Sequence, residues 1–304
     1  MADLAVVILT YNESMHIARA IRLVKGIARE IFVIDSFSSD DTVEIARAEG
    51  ATVLQNRFIN QSRQFQWGLE NAPIQSSWIM RLDADEEIYA DLAAEIDKRL
   101  PTLTDDVVGV NLERRHIFLG RWIRRGGRYP LMLLRIWRKG KGKVEDRWMD
   151  EHVTVWGGRT VTFAGGFADN NLHNLTFFID KHNKYATREA IDYLLRKYRI
   201  GSHTSIQLGS RQAALKRRVK EQVYYRTPFW IAATAYFLYR YVIQLGFLDG
   251  REGLIYHFLQ GYWYRFLVGA KIVELEKALD AADSGTRVQV LAQITGYPID
   301  ALLL

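Results

Sequence analysis

The N-terminal part of the chain alternates short apolar runs with helix-like segments, and this alternation constrains the fold more than any other feature. Leu4–Leu9, Ile31–Ile34, Ala51–Leu54 and Trp78–Leu82 are apolar runs of strand length. Segments with apolar residues at helical spacing lie between them, including one over Gln61–Asn71. Such apolar runs are typical of parallel strands buried on both faces. The pattern predicts an α/β fold with a mostly parallel, Rossmann-like sheet flanked by helices.

Polar residues follow three of these predicted strands. They are Thr10, Tyr11, Glu13, Asp35, Asp83 and Asp85. The carboxyl ends of parallel strands lie at one edge of a sheet, and ligands of open α/β sheets bind in the crevice there. We therefore expect these side chains to border one site.

Asp83 and Asp85 are candidate metal ligands. They are separated only by the small Ala84, directly after a predicted strand. Carboxylate oxygens in this arrangement suit a hard divalent cation such as Mg2+ or Mn2+. The alternative is a solvated acidic turn before a helix that begins near Tyr89.

Three side chains in this region suit a nucleotide. Tyr11 can stack on a base, and Asp35 can accept hydrogen bonds from a base or a ribose. Arg63, at the start of the predicted helix Gln61–Asn71, can face a diphosphate. Each also has an ordinary explanation: a half-buried tyrosine, a turn aspartate and a solvated arginine. The chain has no Gly-x-Gly-x-x-Gly and no Walker sequence, which excludes a dinucleotide or P-loop site.

A second acidic cluster, Glu145–His152, contains Asp150 and Glu151. A carboxylate within hydrogen-bond reach of a hydroxyl group can act as its general base. The alternative is a charged loop without a chemical role.

The C-terminal third changes from strands to aromatic-rich helices. Residues 211–226 hold six basic residues and one acid, and Pro228–Leu248 has Arg240 as its only charge. A polybasic run beside an aromatic, apolar segment is typical of a helix at an anionic membrane surface. Packing into the protein's own core or a homo-oligomer interface, and a true membrane span, are the alternatives.

Composition limits the partners and the cellular location that we expect. The net charge is +6 with a pI near 9.4, which favours an anionic partner. There is no cysteine, which excludes disulfides and thiolate metal sites. The N-terminus runs directly into a strand pattern without the features of a secretory signal, so we expect a cytoplasmic location.

The motifs, in this order, resemble those of family-2 glycosyltransferases. They are Thr10-Tyr11-Asn12-Glu13, Asp35 with Ser38–Thr42, Asp83–Glu86 and Asp150-Glu151-His152. Members of that family are inverting enzymes of the GT-A fold that use nucleotide-activated sugars. The resemblance is clearest over residues 4–155, and it is to bacterial members that build lipopolysaccharide core, capsule or exopolysaccharide.

The resemblance implies roles for the candidate residues. The nucleoside of the donor, with uridine preferred, would contact Tyr11, Glu13 and Asp35. Thr10 and Arg63 would lie in the same site. Asp83 would face the ribose or the metal, and Asp85 would ligate Mn2+ or Mg2+. The acceptor hydroxyl would be deprotonated by Glu151 or Asp150. Many members carry Glu-Asp or His-Glu at this point, so the Asp-Glu order leaves the base open, with Glu151 preferred.

The expected activity is transfer of a hexose from a UDP-sugar to a lipid-linked saccharide acceptor. Residues 1–175 would form the GT-A domain, and residues 176–304 a helical region that binds the inner face of the cytoplasmic membrane. A homo-oligomer is an open alternative, and no nucleic acid is expected as a partner.

Two alternatives belong to other functional classes. A sugar-phosphate nucleotidyltransferase would need a glycine-rich phosphate loop, and a non-catalytic basic protein that binds lipid or nucleic acid would leave the carboxylates without a role.

Overall fold

The computed structural model describes residues 2–145, 152–200, 227–297 and 299. The chain divides into two compact units, Met1–Leu172 and His173–Leu304.

The first unit begins with alternating strands and helices, as the apolar pattern predicts. The strands are β1 (Leu4–Thr10), β2 (Glu30–Asp35), β3 (Thr52–Gln55) and β4 (Trp78–Asp83), and the helices are α1 (Ile17–Val24), α2 (Thr42–Ala48) and α3 (Gln61–Asn71). Then come β5 (Glu86–Ile88), α4 (Ala90–Arg99), β6 (Val107–Phe118), β7 (Arg121–Trp122), β8 (Met132–Arg138), β9 (Gly142–Val144), β10 (Val153–Val155) and β11 (Arg159–Asn170).

The described strands form one large mixed sheet and one small ribbon. The order in the sheet is β3-β2-β1-β4-β8-β6-β11-β5, with β7 on β6, and β9 pairs with β10. The four strands from β3 to β4 are parallel, whereas β8 runs antiparallel to both β4 and β6. The predicted α/β fold is confirmed. The sheet is parallel from β3 to β4, and β6 and β11 form a second parallel pair beyond the antiparallel β8.

The packing of strand β1 explains why its sequence is apolar from Leu4 to Leu9. Leu4, Val6 and Ile8 belong to one buried cluster together with Ile17 and Ile21 of α1. Ala5 and Val7 belong to a second cluster on the opposite face, which also contains Phe65 of α3. Successive side chains of a strand point to opposite faces, so a strand covered on both sides is apolar at every position.

The second unit is helical in its described part. Its helices are α5 (Leu175–Lys197), α6 (Phe229–Leu238), α7 (Gly250–Tyr256), α8 (Tyr264–Asp280) and α9 (Arg287–Thr295). Helix α6 continues as a π-helical segment, Tyr239–Ile243, and α7 and α8 are joined by another, His257–Trp263. Among the described helices none is by itself long and apolar enough to cross a membrane. Phe229–Ile243 and Gly246–Asp280, which meet at a bend of 70°, pass that test only together.

Candidate functional site

The carboxyl ends of β1, β2 and β4 bring three of the predicted site residues side by side. In the register of the sheet Thr10 lies opposite Asp35, and Leu9 lies opposite Asp83. The hydroxyl group of Thr10 donates to Oδ1 of Asp35 at 3.0 Å. The sequence placed these residues at one edge of the sheet, and the structure has them on three adjacent strands there.

Asp35 is fully buried and its carboxylate accepts four hydrogen bonds. The donors are the Thr10 hydroxyl at 3.0 Å, the Ser38 amide at 2.9 Å, the Ser38 hydroxyl at 2.5 Å and Nε2 of Gln55 at 3.1 Å. A carboxylate has about four lone-pair directions, so this set uses its accepting capacity. Asp35 therefore fixes the loop that follows β2, and a nucleoside bound here would have to share one of its oxygens.

The loops after β1 and β2 are locked together by side chains of the Ser38–Thr42 motif. The amides of Asn12, Glu13 and Ser14 donate to the Ser38 hydroxyl at 2.8 Å, the Thr42 hydroxyl at 2.8 Å and the Asp40 carboxylate at 3.2 Å. Buried backbone amides need such partners. Burial raises the pKa of Asp40, but hydrogen bonds from Thr42 and Ser14 outweigh it and hold the pKa below its ordinary value. The motif thus has a structural task beside any contact with a ligand.

Replacing Ser38 by alanine is expected to lower the free energy of unfolding by about 1–3 kcal/mol, because it removes a partner of the Asn12 amide and of Asp35. Denaturant unfolding of the purified variant measures the change. Ser39→Ala is the matched control. Ser39 is exposed and its hydroxyl is 3.3 Å from Oδ1 of Asn12, so we expect little change there. Equal effects of the two variants would contradict the role given to Ser38.

Tyr11 and Arg63 lie at the surface. Tyr11 is 60% exposed in the loop after β1. Arg63 is an exposed residue in the first turn of α3, and its amide donates to Oδ1 of Asn60, the N-cap, at 2.7 Å. Both side chains are thus exposed, and their contact with a nucleotide stays a prediction.

Glu13 is engaged by a histidine that the sequence did not single out. His16 is fully buried, and its Nδ1 is 2.6 Å from Oε2 of Glu13. Its Nε2 accepts the amide of Leu172 at 2.9 Å, which assigns the ring proton to Nδ1. The pair ties the loop after β1 to the chain beyond β11, and it holds the carboxylate that was predicted to contact the nucleoside.

Asp83 lies between two arginines. Nε of Arg81 is 3.4 Å from its Oδ1, and Nη2 of Arg135 is 3.4 Å from its Oδ2. Burial raises the pKa of Asp83, but the charges of Arg81, Arg135 and Arg114 outweigh it and lower the pKa to about 2. Asp83 is therefore ionised at neutral pH.

Glu86 is the buried member of the acidic turn. It is 1% exposed and forms an ion pair with Arg135, and Nη1 of Arg114 is 3.8 Å from its Oε1. Its Oε2 accepts the amide of Asp83 at 2.9 Å. Burial raises the pKa of Glu86, and the two arginines offset that effect only in part. The alternative of a solvated acidic turn is therefore wrong for this residue.

A β-bulge places Arg135 at this point. Leu134 lies opposite Asn111 and Ile136 lies opposite Val110, so Arg135 is an extra residue of β8 with no counterpart on β6. Bulges redirect a side chain out of the regular alternation, and they are frequent beside functional sites.

Asp85 is held from three sides. Its Oδ2 accepts Nδ2 of Asn171 at 2.9 Å, and its carbonyl accepts the amide of Asn170 at 2.9 Å and Nη2 of Arg19 at 3.3 Å. Arg19, on α1, also donates to the carbonyl of Asn170 at 2.7 Å and pairs with Glu87 at 2.5 Å. The position of the Asp85 carboxylate is thus set by contacts from α1 and from the end of β11.

The two aspartates fit a hard divalent cation by their chemistry. Both offer carboxylate oxygens, and Asp83 is ionised. Each oxygen of Asp83 faces a guanidinium group, and Oδ2 of Asp85 accepts an asparagine amide. The assignment of Asp85 as the metal ligand stays a prediction.

The two candidates for the general base lie outside the described residues. Asp150 and Glu151 fall in the segment 146–151, between β9 and β10. These two strands pair antiparallel, and the amide of Glu145 donates to the carbonyl of His152 at 2.9 Å. The structure thus describes both ends of the segment, and the choice between Asp150 and Glu151 stays a prediction.

The family model "Glycosyl transferase family 2" matches residues 5–167, more than half of the chain. The chain belongs to this family. The expected family and the GT-A-like fold with a helical C-terminal region are confirmed. Membership of this family argues against the nucleotidyltransferase and the non-catalytic alternatives.

Curated relatives agree with this assignment over a shorter stretch. An uncharacterized glycosyltransferase of Rickettsia prowazekii (strain Madrid E) is 38% identical over 97 residues, which is 32% of each chain. One from Rickettsia conorii is 41% identical over 90 residues, 30% of this chain and 31% of its own. The match thus spans about a third of these relatives.

A likeness to solved structures is weak. The glucosyl-3-phosphoglycerate synthase from Mycobacterium tuberculosis, in complex with Mn2+, UDP and phosphoglyceric acid, is 22% identical, with 37% of this chain and 43% of that chain covered. The TM-score is 0.30, and no argument below rests on it.

Proposed function

We propose that this glycosyltransferase is a metal-dependent, inverting enzyme that moves a hexose from a UDP-sugar to a lipid-linked saccharide. The observation that carries the proposal is the carboxylate pair Asp83 and Asp85 at the strand edge that also holds Thr10 and Asp35. Hydrogen bonds fix the loops after β1 and β2 and the acidic turn Asp83–Glu86, so the site is organised before a ligand binds.

The residues divide the chemistry among them. Asp85 would ligate Mn2+ or Mg2+, and the cation supplies Lewis-acid stabilisation of the leaving diphosphate. Tyr11 would stack on the base, and Arg63 would face the diphosphate. Glu151, or Asp150 in its place, would accept the proton of the acceptor hydroxyl as that oxygen attacks the anomeric carbon. A single in-line displacement inverts the configuration, so no protein nucleophile is needed.

The proposed setting is the synthesis of a cell-surface polysaccharide such as lipopolysaccharide or exopolysaccharide. The protein would act in the cytoplasm, at the inner face of the cytoplasmic membrane, where a lipid-linked acceptor is available. The net charge of +6 and the aromatic C-terminal helices support this location.

Calorimetry of UDP and GDP, each with and without Mn2+, tests the donor site. We expect UDP to bind in the presence of Mn2+, and Tyr11→Ala to weaken that binding about tenfold or more, because base stacking contributes about 1–3 kcal/mol. Tyr11 is 60% exposed, so its loss should not disturb the fold.

Phe37→Ala is the control for this experiment, since Phe37 is an exposed aromatic residue in the neighbouring loop. We expect it to bind UDP as the wild type does. A larger loss in Phe37→Ala than in Tyr11→Ala would contradict the role of Tyr11. Binding of neither nucleotide, with or without Mn2+, would contradict the donor assignment as a whole.

A further inference from the structure

The bend between α6 and α7 has an apolar surface. Within residues 238–248, here called the apolar bend, seven apolar side chains are 42–69% exposed. The most exposed is Ile243, and Phe247 and Leu248 lie beside the turn itself. Contiguous exposed apolar patches on a protein mark a surface that contacts a partner or a membrane.

The charged side chains of this region point inward, which reverses the usual distribution. Arg240 and Asp249 are the only charged residues from Phe229 to Asp249, and each is 4% exposed. The guanidinium group of Arg240 is 5.5 Å from the ring of Tyr236 and 5.8 Å from that of Tyr256. Arginine and aspartate are ordinarily among the most exposed residues. Here the outer surface of the bend is left to apolar groups.

Close packing at Gly246 holds the bend in this form. A Cβ atom at Gly246 would lie 2.7 Å from the ring of His257 and 2.9 Å from the carbonyl oxygen of Arg240. His257 is fully buried, and its Nε2 is 4.0 Å from a carboxylate oxygen of Asp249. A residue with a Cβ atom would not fit at position 246 without a shift of its neighbours. Glycine thus permits the close packing in which Arg240, Asp249 and His257 are buried.

Charge complementarity indicates a lipid bilayer as the partner. Residues 211–226, which precede α6 in the chain, carry six basic residues against one acid. Arg251, whose side chain is 85% exposed, is the first exposed charge after the bend. Trp230 and Tyr236, on α6, are exposed aromatic residues of the kind that lie at the headgroup level. Residues 211–226 lie outside the described residues, so their contribution is one of sequence. Basic and aromatic residues that flank an apolar segment in the chain fit an anionic membrane interface.

We propose that the apolar bend inserts into one leaflet of an anionic bilayer and anchors the protein without crossing it. Ile243 and Phe247 enter the boundary between headgroups and acyl chains, and Arg251 stays at the headgroups. The inference rests on the proposed membrane location, and it is independent of the donor and of the site on β1, β2 and β4.

Fluorescent labelling at single cysteines tests the insertion, because the chain contains no cysteine of its own. Ile243→Cys and, as the control, Val273→Cys are each labelled with an environment-sensitive dye in the otherwise unchanged protein. Val273 is 55% exposed on α8, outside the bend. Vesicles of phosphatidylcholine mixed with phosphatidylglycerol should shift the emission at position 243 to the blue and leave position 273 unchanged. Vesicles of phosphatidylcholine alone should give a smaller shift.

Two outcomes of the labelling would overturn the proposal. One is the absence of an emission change at position 243 with anionic vesicles. The other is a change that occurs without vesicles and grows with protein concentration, which would mean that a second copy of the chain covers the bend.

A charge in the bend gives an independent measurement. The double variant Ile243→Glu with Phe247→Glu should lower the vesicle-bound fraction at least about tenfold in sedimentation, because charged side chains insert poorly into a bilayer. Val273→Glu is the matched control and should sediment as the wild type does. Binding of UDP, measured without vesicles, should be the same in all three proteins, which separates failure of the anchor from failure of the donor site. Undiminished sedimentation of the double variant would overturn the proposal.

Discussion

Replacing Asp85 by asparagine is expected to lower the rate of glycosyl transfer about 10³-fold while the protein stays folded. The amide has the same shape and keeps an acceptor oxygen for Nδ2 of Asn171 at 2.9 Å, but it removes the negative charge that would hold the cation. Loss of Lewis-acid stabilisation of the leaving group amounts to several kcal/mol, and each 1.36 kcal/mol is a factor of ten in rate. Steady-state kcat/KM with Mn2+, together with Tm, measures the effect.

Two further variants make this result specific. Asp105→Asn changes a fully exposed aspartate and should leave transfer unaltered. Glu151→Gln should abolish transfer but keep Mn2+-dependent binding of UDP, because a general base acts on the acceptor and not on the donor. Asp85→Asn should lose both glycosyl transfer and the Mn2+-dependent binding of UDP. Wild-type turnover in Asp85→Asn would contradict the metal assignment, and wild-type turnover in Glu151→Gln would transfer the role of base to Asp150.

The elements that could be predicted from the sequence are those specified by local pattern. Strand β1 is apolar from Leu4 to Leu9 because both of its faces are covered, and that is visible in the sequence itself. Helix α3 has the predicted limits, Gln61–Asn71, because Asn60 provides an N-cap directly before it. The polar residues after β1, β2 and β4 were predicted to converge because parallel strands end at the same edge.

The contacts of Arg81 and Arg135 with Asp83 could not be predicted, because they depend on pairing between strands that are distant in sequence. Arg135 reaches Asp83 and Glu86 only through the bulge of β8 against β6, and the position of a bulge depends on strand register. One signal was present. Arg81 and Arg135 interrupt strands that are otherwise mostly apolar, and a buried arginine requires a carboxylate partner.

Contacts across the sheet also change the interpretation of single residues. Asp35 was predicted to bind a nucleoside from its place after β2, yet Gln55 and Ser38 are among the donors that occupy its carboxylate. Glu13 was assigned to the same ligand, and its partner is the buried His16. Two donors to Asp35, Thr10 and Gln55, lie on neighbouring strands and depend on the strand order. His16 is only three residues from Glu13, but its burial, which brings it against Glu13 and the amide of Leu172, depends on the folded chain.

Replacing Arg135 by methionine is expected to lower the free energy of unfolding by about 3–5 kcal/mol, the largest stability effect in the site. Glu86 is 1% exposed and Asp83 lies beside it, and the substitution would leave both carboxyl groups without the guanidinium group that they share. Methionine keeps the length and apolar part of the side chain, so that charge is the main property removed. Denaturant unfolding, fitted with a common slope for both proteins, measures the difference.

The loss in Arg135→Met should grow with pH, and this dependence identifies Glu86 as its cause. Burial raises the pKa of the folded-state carboxyl above its ordinary value of 4.5, and without Arg135 it would rise further. Below that ordinary value both states hold the proton, so the folded state carries no cost. As the pH rises, the unfolded state ionises while the folded state must keep a proton or bury a charge, so stability declines. The wild type shares this decline until its own Glu86 ionises, at a pKa of about 8. The deficit should therefore be nearly constant from about pH 5 to pH 7 and grow above about pH 8, and the added substitution Glu86→Gln should remove the dependence. Arg22→Met, which breaks the exposed pair with Glu49, should change stability little, because exposed pairs contribute little. A deficit in Arg135→Met that matched this control would show that the buried pair does not stabilise the acidic turn.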